Sequence, residues 1–188
     1  MNLYAKLQQR AAQGKPVRVG LIGAGKFGSM YLAQVPRTPG VHLVGIADLS
    51  PEGARANLAR VGWQAERAQA ASLDAAIKAG TTHVGDDWQA LVRHPAIDVI
   101  VECTGHPIAA VDHCLESFRH GKHVVNVTVE ADAFCGPLLA RKAQEAGVVY
   151  SLAFGDQPAL ICDLVDWART CGFPVVAAGR GHKWLPHF

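Results

Sequence analysis

The feature that most narrows the folds open to this chain is a glycine turn with a strand-like run before it and a helix-like run after it. Val17–Ile22 (VRVGLI) is short and apolar, and it passes directly into Gly23-Ala24-Gly25-Lys26-Phe27-Gly28 and then into Ser29–Gln34. Glycine is common here, at 19 of 188 residues, so the spacing alone carries little. The setting carries more. A second apolar run, Val41–Ala47 (VHLVGIA), follows, and an acid, Asp48, stands at its end, 20 residues beyond Gly28. The first glycine permits the tight turn off the strand. The second lets a diphosphate approach the backbone, and the third lets the helix pack on the strand. The free N–H groups at the start of the helix, around Lys26 and Phe27, then face phosphate at the positive end of the helix dipole. Asp48 is placed to accept hydrogen bonds from an adenosine ribose diol and to repel an added 2′-phosphate, so the expected cofactor is NAD or NADP, with NAD favoured. Ser50 and Arg55, just downstream, are the residues that would hold a 2′-phosphate if Asp48 turned aside. The cofactor-binding set read here is Gly23, Gly25, Lys26, Phe27, Gly28, Asp48 and Ser50.

The rest of the chain repeats the same alternation. Pro51–Arg60 reads as a helix, with Ser50 as its N-cap and Pro51 at its first position. Val99–Glu102 (VIVE) is a continuous apolar strand, as expected when both faces are covered. Pro107–His120 is amphipathic, with Ala110, Cys114 and Phe118 on one side and Gly121 as its stop. His123–Val129 reads as a strand, then a helix runs from about Asp132 to Ala146 with Pro137 as a kink or late start. Val148–Ala153, Ala159–Thr170 and Val175–Ala178 read as strand, helix and strand, the last of them free to pair with another copy. The segment between Gly62 and Gly85, with Trp63 and a candidate helix at Ser72–Ala79, reads as an elaboration of the crossover after the second strand. Such alternation means parallel strands joined by right-handed crossovers, hence an α/β, doubly wound parallel sheet of the Rossmann type with helices on both faces. The expected organisation is a dinucleotide-binding domain over residues 1–155. Residues 156–188 then hold the last helix–strand unit and the start of a substrate domain.

Two further clusters fall at strand ends, where open α/β sheets bind their ligands. Glu102-Cys103-Thr104-Gly105-His106-Pro107 puts Thr104 and Gly105 toward the nicotinamide half of the cofactor, and His106, held extended before Pro107, near a substrate. Asn126, Thr128 and Glu130, at the end of the next strand, reach the same edge by the same geometry, with Thr128 and Asp132 equally placed to cap a helix. His106 and Glu130 are the candidate catalytic groups. Cys103 has no activating partner in the sequence.

Composition excludes other classes. The net charge is +2, and the basic residues are scattered with no run of five, so a surface for long nucleic acid is not expected. No apolar stretch approaches the roughly 18–20 residues that span a bilayer. The N-terminus has Lys6, Gln8, Gln9 and Arg10 where a signal peptide needs its apolar segment, while Leu3, Leu7 and Ala11 mark one face of a short helix. Five cysteines, never closer than nine residues, argue against a disulfide framework or a CxxC site and for a reduced, cytoplasmic protein. The nine histidines form no metal-ligand spacing: His120 and His123 straddle Gly121, and His182 and His187 lie in the tail.

The blocks GLIGAGKFG, ADLSPEGA, IDVIVECTG, GKHVVNVTVEAD and GVVYSLAFGDQPA, in this order, resemble the nucleotide-binding half of homoserine dehydrogenase-like proteins. The nearer likeness is to the branch with a C-terminal SAF domain, which includes reductoisomerase-like enzymes; a more distant one is to the Gfo/Idh/MocA oxidoreductases. The resemblance spans about residues 15–185. It implies an NAD(P)-dependent oxidoreductase whose Rossmann domain is followed by a dimerising substrate domain, beyond where this chain ends at Phe188. Homoserine dehydrogenases carry a lysine after the matching strand, in a Thr-Ala-Asn-Lys pattern. Val129 stands there instead, which argues against homoserine as the substrate.

Three functions are compatible with these residues. The first is the cofactor-binding part of an oxidoreductase that moves hydride between nicotinamide and a small polar hydroxy or carbonyl substrate. The second is a non-catalytic nucleotide-binding or redox-sensing module. The third, a methyltransferase, also uses a glycine-rich first turn, but the close glycine spacing and the blocks after Glu102 argue against it.

Overall fold

A computed structural model of the chain describes residues 2–155 and 157–179, with the backbone alone for Gln157 and Pro158. The chain divides into two compact units, Met1–Tyr150 and Ser151–Phe188. The elements in order are α1 (Leu3–Ala12), β1 (Val17–Ile22), α2 (Lys26–Gln34), β2 (Val41–Ala47), α3 (Pro51–Arg60), α4 (Leu73–Ala79), β3 (His83–Gly85), α5 (Trp88–Arg93), β4 (Val99–Glu102), α6 (Pro107–Arg119), β5 (His123–Asn126), α7 (Val129–Glu145), β6 (Tyr150–Leu152) and α8 (Gln157–Thr170). Helix starts are set by local chemistry. The side chains of Ser50, Ser72, Asp87 and His106 each accept an N–H from the first turn that follows, and Pro51 and Pro107 fill positions that need no N–H.

The strands lie in the order β3-β2-β1-β4-β5-β6, and the pairs from β3 to β5 are parallel. This is the doubly wound α/β order, whose chain direction of growth reverses between β1 and β4. The strands finish together: Gly85 is level with Ala47, Ala47 with Ile22, Ile22 with Glu102, and Glu102 with Asn126. All the loops that leave this edge therefore start at one height. Alternation along each strand feeds two cores. Val19, Leu21, Leu43, Ile46 and Val101 face one side with Leu32 and Leu58, while Ile22, Val44, Ile100 and Val124 face the other with Leu91, Phe118 and Leu139.

Several sequence expectations are corrected. β5 ends at Asn126 rather than Val129, and α7 begins at Val129 rather than Asp132, because the Asn126 side chain bridges to the amide and carbonyl of Thr128 and turns the chain there. The kink in α7 falls at Cys135 (φ −148°, ψ 23°), two residues before Pro137, whose ring disfavours helical geometry just upstream. The stretch from Gly62 to Gly85 holds a third strand, β3, which its three residues, His-Val-Gly, do not announce as an apolar run. Helix α5, six residues long, is a further element that no sequence pattern marks. Residues 173–179 carry no regular structure, so the strand expected at Val175–Ala178 is not formed; Val176 is almost fully exposed, with no ladder partner to hold it extended. His182 and His187 lie outside the described residues.

The opposite edge of the sheet is held by a buried lysine. Lys122, 5% exposed, donates from Nζ to the carbonyls of His94 and Ile97, each at 2.8 Å, and so fastens the loop that feeds β4. Burial pushes this ammonium below its ordinary range, and Asp98 opposes the shift. Lys122→Met keeps the stem and leaves both carbonyls without their donor. It should lower stability by about 1–3 kcal/mol, seen as a lower urea midpoint at unchanged slope; an unaltered midpoint would show that the ammonium does not hold this loop.

Candidate functional site

The glycine turn sits at the exit of β1, and its three glycines do three different things. Gly23 has φ +91°, and a Cβ on it would lie 2.9 Å from the backbone of Cys103 and Thr104. That residue must be glycine both for its backbone and because the β4 exit packs against it. A Cβ on Gly28 would lie 2.6 Å from the Gly23 carbonyl oxygen, so the helix crosses the strand too closely for a side chain. Gly25 differs: no atom comes within 4 Å of where its Cβ would be. It is the N-cap of α2 and offers no side-chain cap, so the first-turn amides of Lys26, Phe27 and Gly28 have no partner within the helix.

The turn is held from outside by its neighbours. Ala24 N–H donates to Asp48 Oδ2 at 2.7 Å, and the Ala24 carbonyl accepts from Asn57 Nδ2 at 2.8 Å. The other Asp48 oxygen, Oδ1, accepts Ser50 N–H at 2.9 Å. Asp48 is thus a strut between the β1 and β2 exits, with lone pairs left on both oxygens. Ser50 Oγ caps α3 through Gly53 N–H at 3.1 Å, and Arg55 donates to the Val84 carbonyl at 2.9 Å. Asn57 was not singled out in the sequence; a polar residue two turns into a helix gives no signal of its target.

A second group of contacts joins the β4 and β5 exits. Glu102, fully buried, takes the Thr104 hydroxyl on Oε1 at 2.6 Å and the Thr128 hydroxyl on Oε2. His113 Nδ1 lies 3.2 Å from Oε1, and its ring meets Trp88 edge-on at 4.5 Å. Gly105 N–H donates to Thr128 Oγ1 at 3.0 Å. Thr128 is at the N-cap of α7 without capping it, since its hydroxyl is given to Glu102. Thr104 and Gly105 are exposed at this edge, as their positions after β4 required. The carboxylate beneath them was legible only as an acid that ends an otherwise apolar strand.

The two candidate catalytic groups are placed differently. His106 is exposed, and its Nδ1 accepts Ala109 N–H at 3.2 Å as the cap of α6. Glu130 is exposed in the first turn of α7, while Asn126 is buried against Tyr150 and Thr128. Cys103 donates its S–H to the Gly23 carbonyl at 2.8 Å. Burial, then the nearby charges of Glu102 and Asp48, push its thiol far above the usual range, which removes it as a nucleophile. Among the described residues no three His, Cys, Asp or Glu side chains gather at metal-binding distance. No helix among them is long and apolar enough to cross a membrane.

The family described as homoserine dehydrogenase, NAD binding domain, matches residues 23–152, from the glycine turn to the last strand. The chain belongs to this family. A second family, oxidoreductase DRL, catalytic domain, matches residues 155–187. A 4-carboxy-2-hydroxymuconate-6-semialdehyde dehydrogenase of Sphingobium is 28% identical over 134 residues, 71% of this chain and 36% of that protein. Among solved structures, a homoserine dehydrogenase from Thiobacillus denitrificans superposes with a TM-score of 0.57 at 24% identity, over 73% of this chain and 29% of its own. An NAD binding oxidoreductase from Klebsiella pneumoniae gives 0.56 at 20% identity, over 84% and 39%. Biliverdin reductase from Synechocystis, solved with biliverdin and NADP+, gives 0.51 at 22%, over 82% and 42%. These likenesses establish the fold, and the chain spans well under half the length of each of these proteins.

A nicotinamide dinucleotide is the cofactor class of this family, and the turn fits it. The open face at Gly25 is a cradle that any Cβ would enter, and the amides that follow it are free to bind a diphosphate. Gly25→Val should leave the fold intact, with a change in stability of about 1 kcal/mol or less, and should lower NADH affinity at least about tenfold, or roughly 1.4 kcal/mol, in a calorimetric titration. Gly28→Val should instead lower the melting temperature. Wild-type binding by the Gly25 variant would remove the diphosphate from this turn.

Proposed function

We propose that this chain is the cofactor-binding part of an NAD(P)-dependent oxidoreductase acting on a small polar hydroxy or carbonyl compound. The bound nicotinamide would supply the hydride chemistry. The observation that carries the reading is the glycine turn, open at Gly25 and anchored at Ala24 by Asp48 and Asn57. Gly23, Gly25 and Gly28 shape the turn, and the amides of Lys26 and Phe27 hold the diphosphate. Thr104 and Gly105 border the nicotinamide half. The substrate would lie over Thr104–His106 near Glu130, closed in by a further domain or a second copy of the chain.

NAD is the better fit of the two dinucleotides. Asp48 presents two partly used carboxylate oxygens at the β2 exit, which suits a ribose diol. Ser50 Oγ is engaged as the cap of α3 and Arg55 is drawn to the Val84 carbonyl, so neither is dedicated to a 2′-phosphate. Val129, half-buried at the start of α7, stands where homoserine dehydrogenases carry lysine, which supports a substrate other than homoserine.

Absorbance of the reduced nicotinamide, followed with hydroxy-acid, aldehyde and sugar-phosphate substrates, is the test of the activity. Turnover of one of them sustains the reading. Dinucleotide binding with no turnover of any favours a non-catalytic, redox-sensing module. For the cofactor choice, Asp48→Ser removes the charge that faces the ribose; the ratio of NADP to NAD affinity should rise about tenfold, or roughly 1.4 kcal/mol. An unchanged ratio would show that Asp48 serves only as the strut to Ala24.

A further inference from the structure

Backbone amides, which only donate, fix the direction of the hydrogen bonds that join Glu102 to its two threonines. His106 N–H donates to Thr104 Oγ1 at 3.2 Å, and Gly105 N–H donates to Thr128 Oγ1 at 3.0 Å. Each hydroxyl therefore has its own proton left to give, and each points that proton at Glu102, Thr104 to Oε1 and Thr128 to Oε2. Thr104 N–H adds a longer contact to Oε1 at 3.3 Å. His113 Nδ1, 3.2 Å from Oε1, completes the set. The two hydroxyls and the amide donate. Glu102 stands as an acceptor-only carboxylate, fully buried, at the end of the strand that borders the switch point of the sheet.

A buried carboxylate so placed does two things. It locks the β4 exit to the β5 exit, because Thr104 and Thr128 both donate to it and Gly105 donates in turn to Thr128. It also sets a negative charge behind the loop that borders the nicotinamide half of the site. The nicotinamide ring is cationic when oxidised and neutral when reduced, so a fixed charge in a low-dielectric setting discriminates between the two.

We infer that Glu102 is a positioning residue that sets Thr104–Gly105 against Thr128 and biases the site toward the oxidised dinucleotide. The inference rests on the reading of this edge as a nicotinamide site, and the two fail separately. If the wild-type protein binds neither NAD+ nor NADH, the reading of the site is at fault. If it binds them, the variants decide about Glu102.

The experiment is fluorescence or calorimetric titration of NAD+ and NADH with wild type, Glu102→Gln and Glu102→Asp, each checked by circular dichroism. Glu102→Gln keeps the shape and removes the charge. It should lower NAD+ affinity relative to NADH by roughly tenfold. An unchanged ratio of the two affinities overturns the inference. Glu102→Asp keeps the charge and shortens the reach to the threonines, so both affinities should fall together while their ratio stays within about twofold of wild type. If Glu102→Gln does not fold, the aspartate variant alone decides: wild-type affinities, or a shifted ratio, would each refute the assignment.

Discussion

Ala24 has only two backbone groups with which to anchor the glycine turn, and side chains from beyond the second strand take both of them. Asp48 accepts its N–H and Asn57 donates to its carbonyl. Glycine at Gly23 and Gly25 lowers the cost of an unusual turn but leaves the backbone with more conformational freedom to lose on ordering. The two side-chain contacts counter that freedom by fixing the residue between the glycines. An open, amide-lined turn is a binding surface only while it keeps its shape without the ligand, and this pair of contacts provides that shape. Asp48 thereby uses one oxygen on Ala24 and the other on Ser50, tying the two strand exits together.

The β4 and β5 exits are organised by a different kind of interaction. Removing a carboxylate from water costs several kcal/mol, and hydrogen bonds from well-placed donors recover it only when the set is complete. Glu102 has such a set in Thr104, Thr128 and His113. Once formed it resists piecemeal change, since loss of one donor leaves the rest of a buried charge undersatisfied. The thiol of Cys103, one residue on, belongs to the same junction as a buried donor to Gly23 and has no reactive character. Thr104 and Gly105, exposed at these exits, are therefore held by Glu102 and Thr128 buried beneath them.

Much of the fold was legible because it rests on local patterns. The runs VRVGLI, VHLVGIA and VIVE became β1, β2 and β4 with the expected bounds, and Ser50-Pro51 began α3 as a cap followed by a proline. The failures have local causes as well. His123–Val129 looks like one β-branched run, yet Asn126 folds its amide back on Thr128 and stops the strand early. β3 is three residues long and owes its existence to its place beside β2, which no pattern in His-Val-Gly conveys. Val175–Ala178 shows the reverse, a good strand composition with no ladder partner.

The amino-acid sequence by itself determined the doubly wound class, the glycine turn after β1 and the acid at the end of β2, because each follows from residue type and spacing along a short stretch. It also marked Thr104 and Gly105 as edge residues, since any loop that leaves a parallel strand at its carboxyl end must face that side. Only the tertiary structure decided that Asn57 grips Ala24 and that Glu102 unites two strand exits. Those outcomes depend on which side chains the crossovers bring within about 3 Å of each other, and that distance is set by the level strand ends of the sheet rather than by any neighbour in sequence.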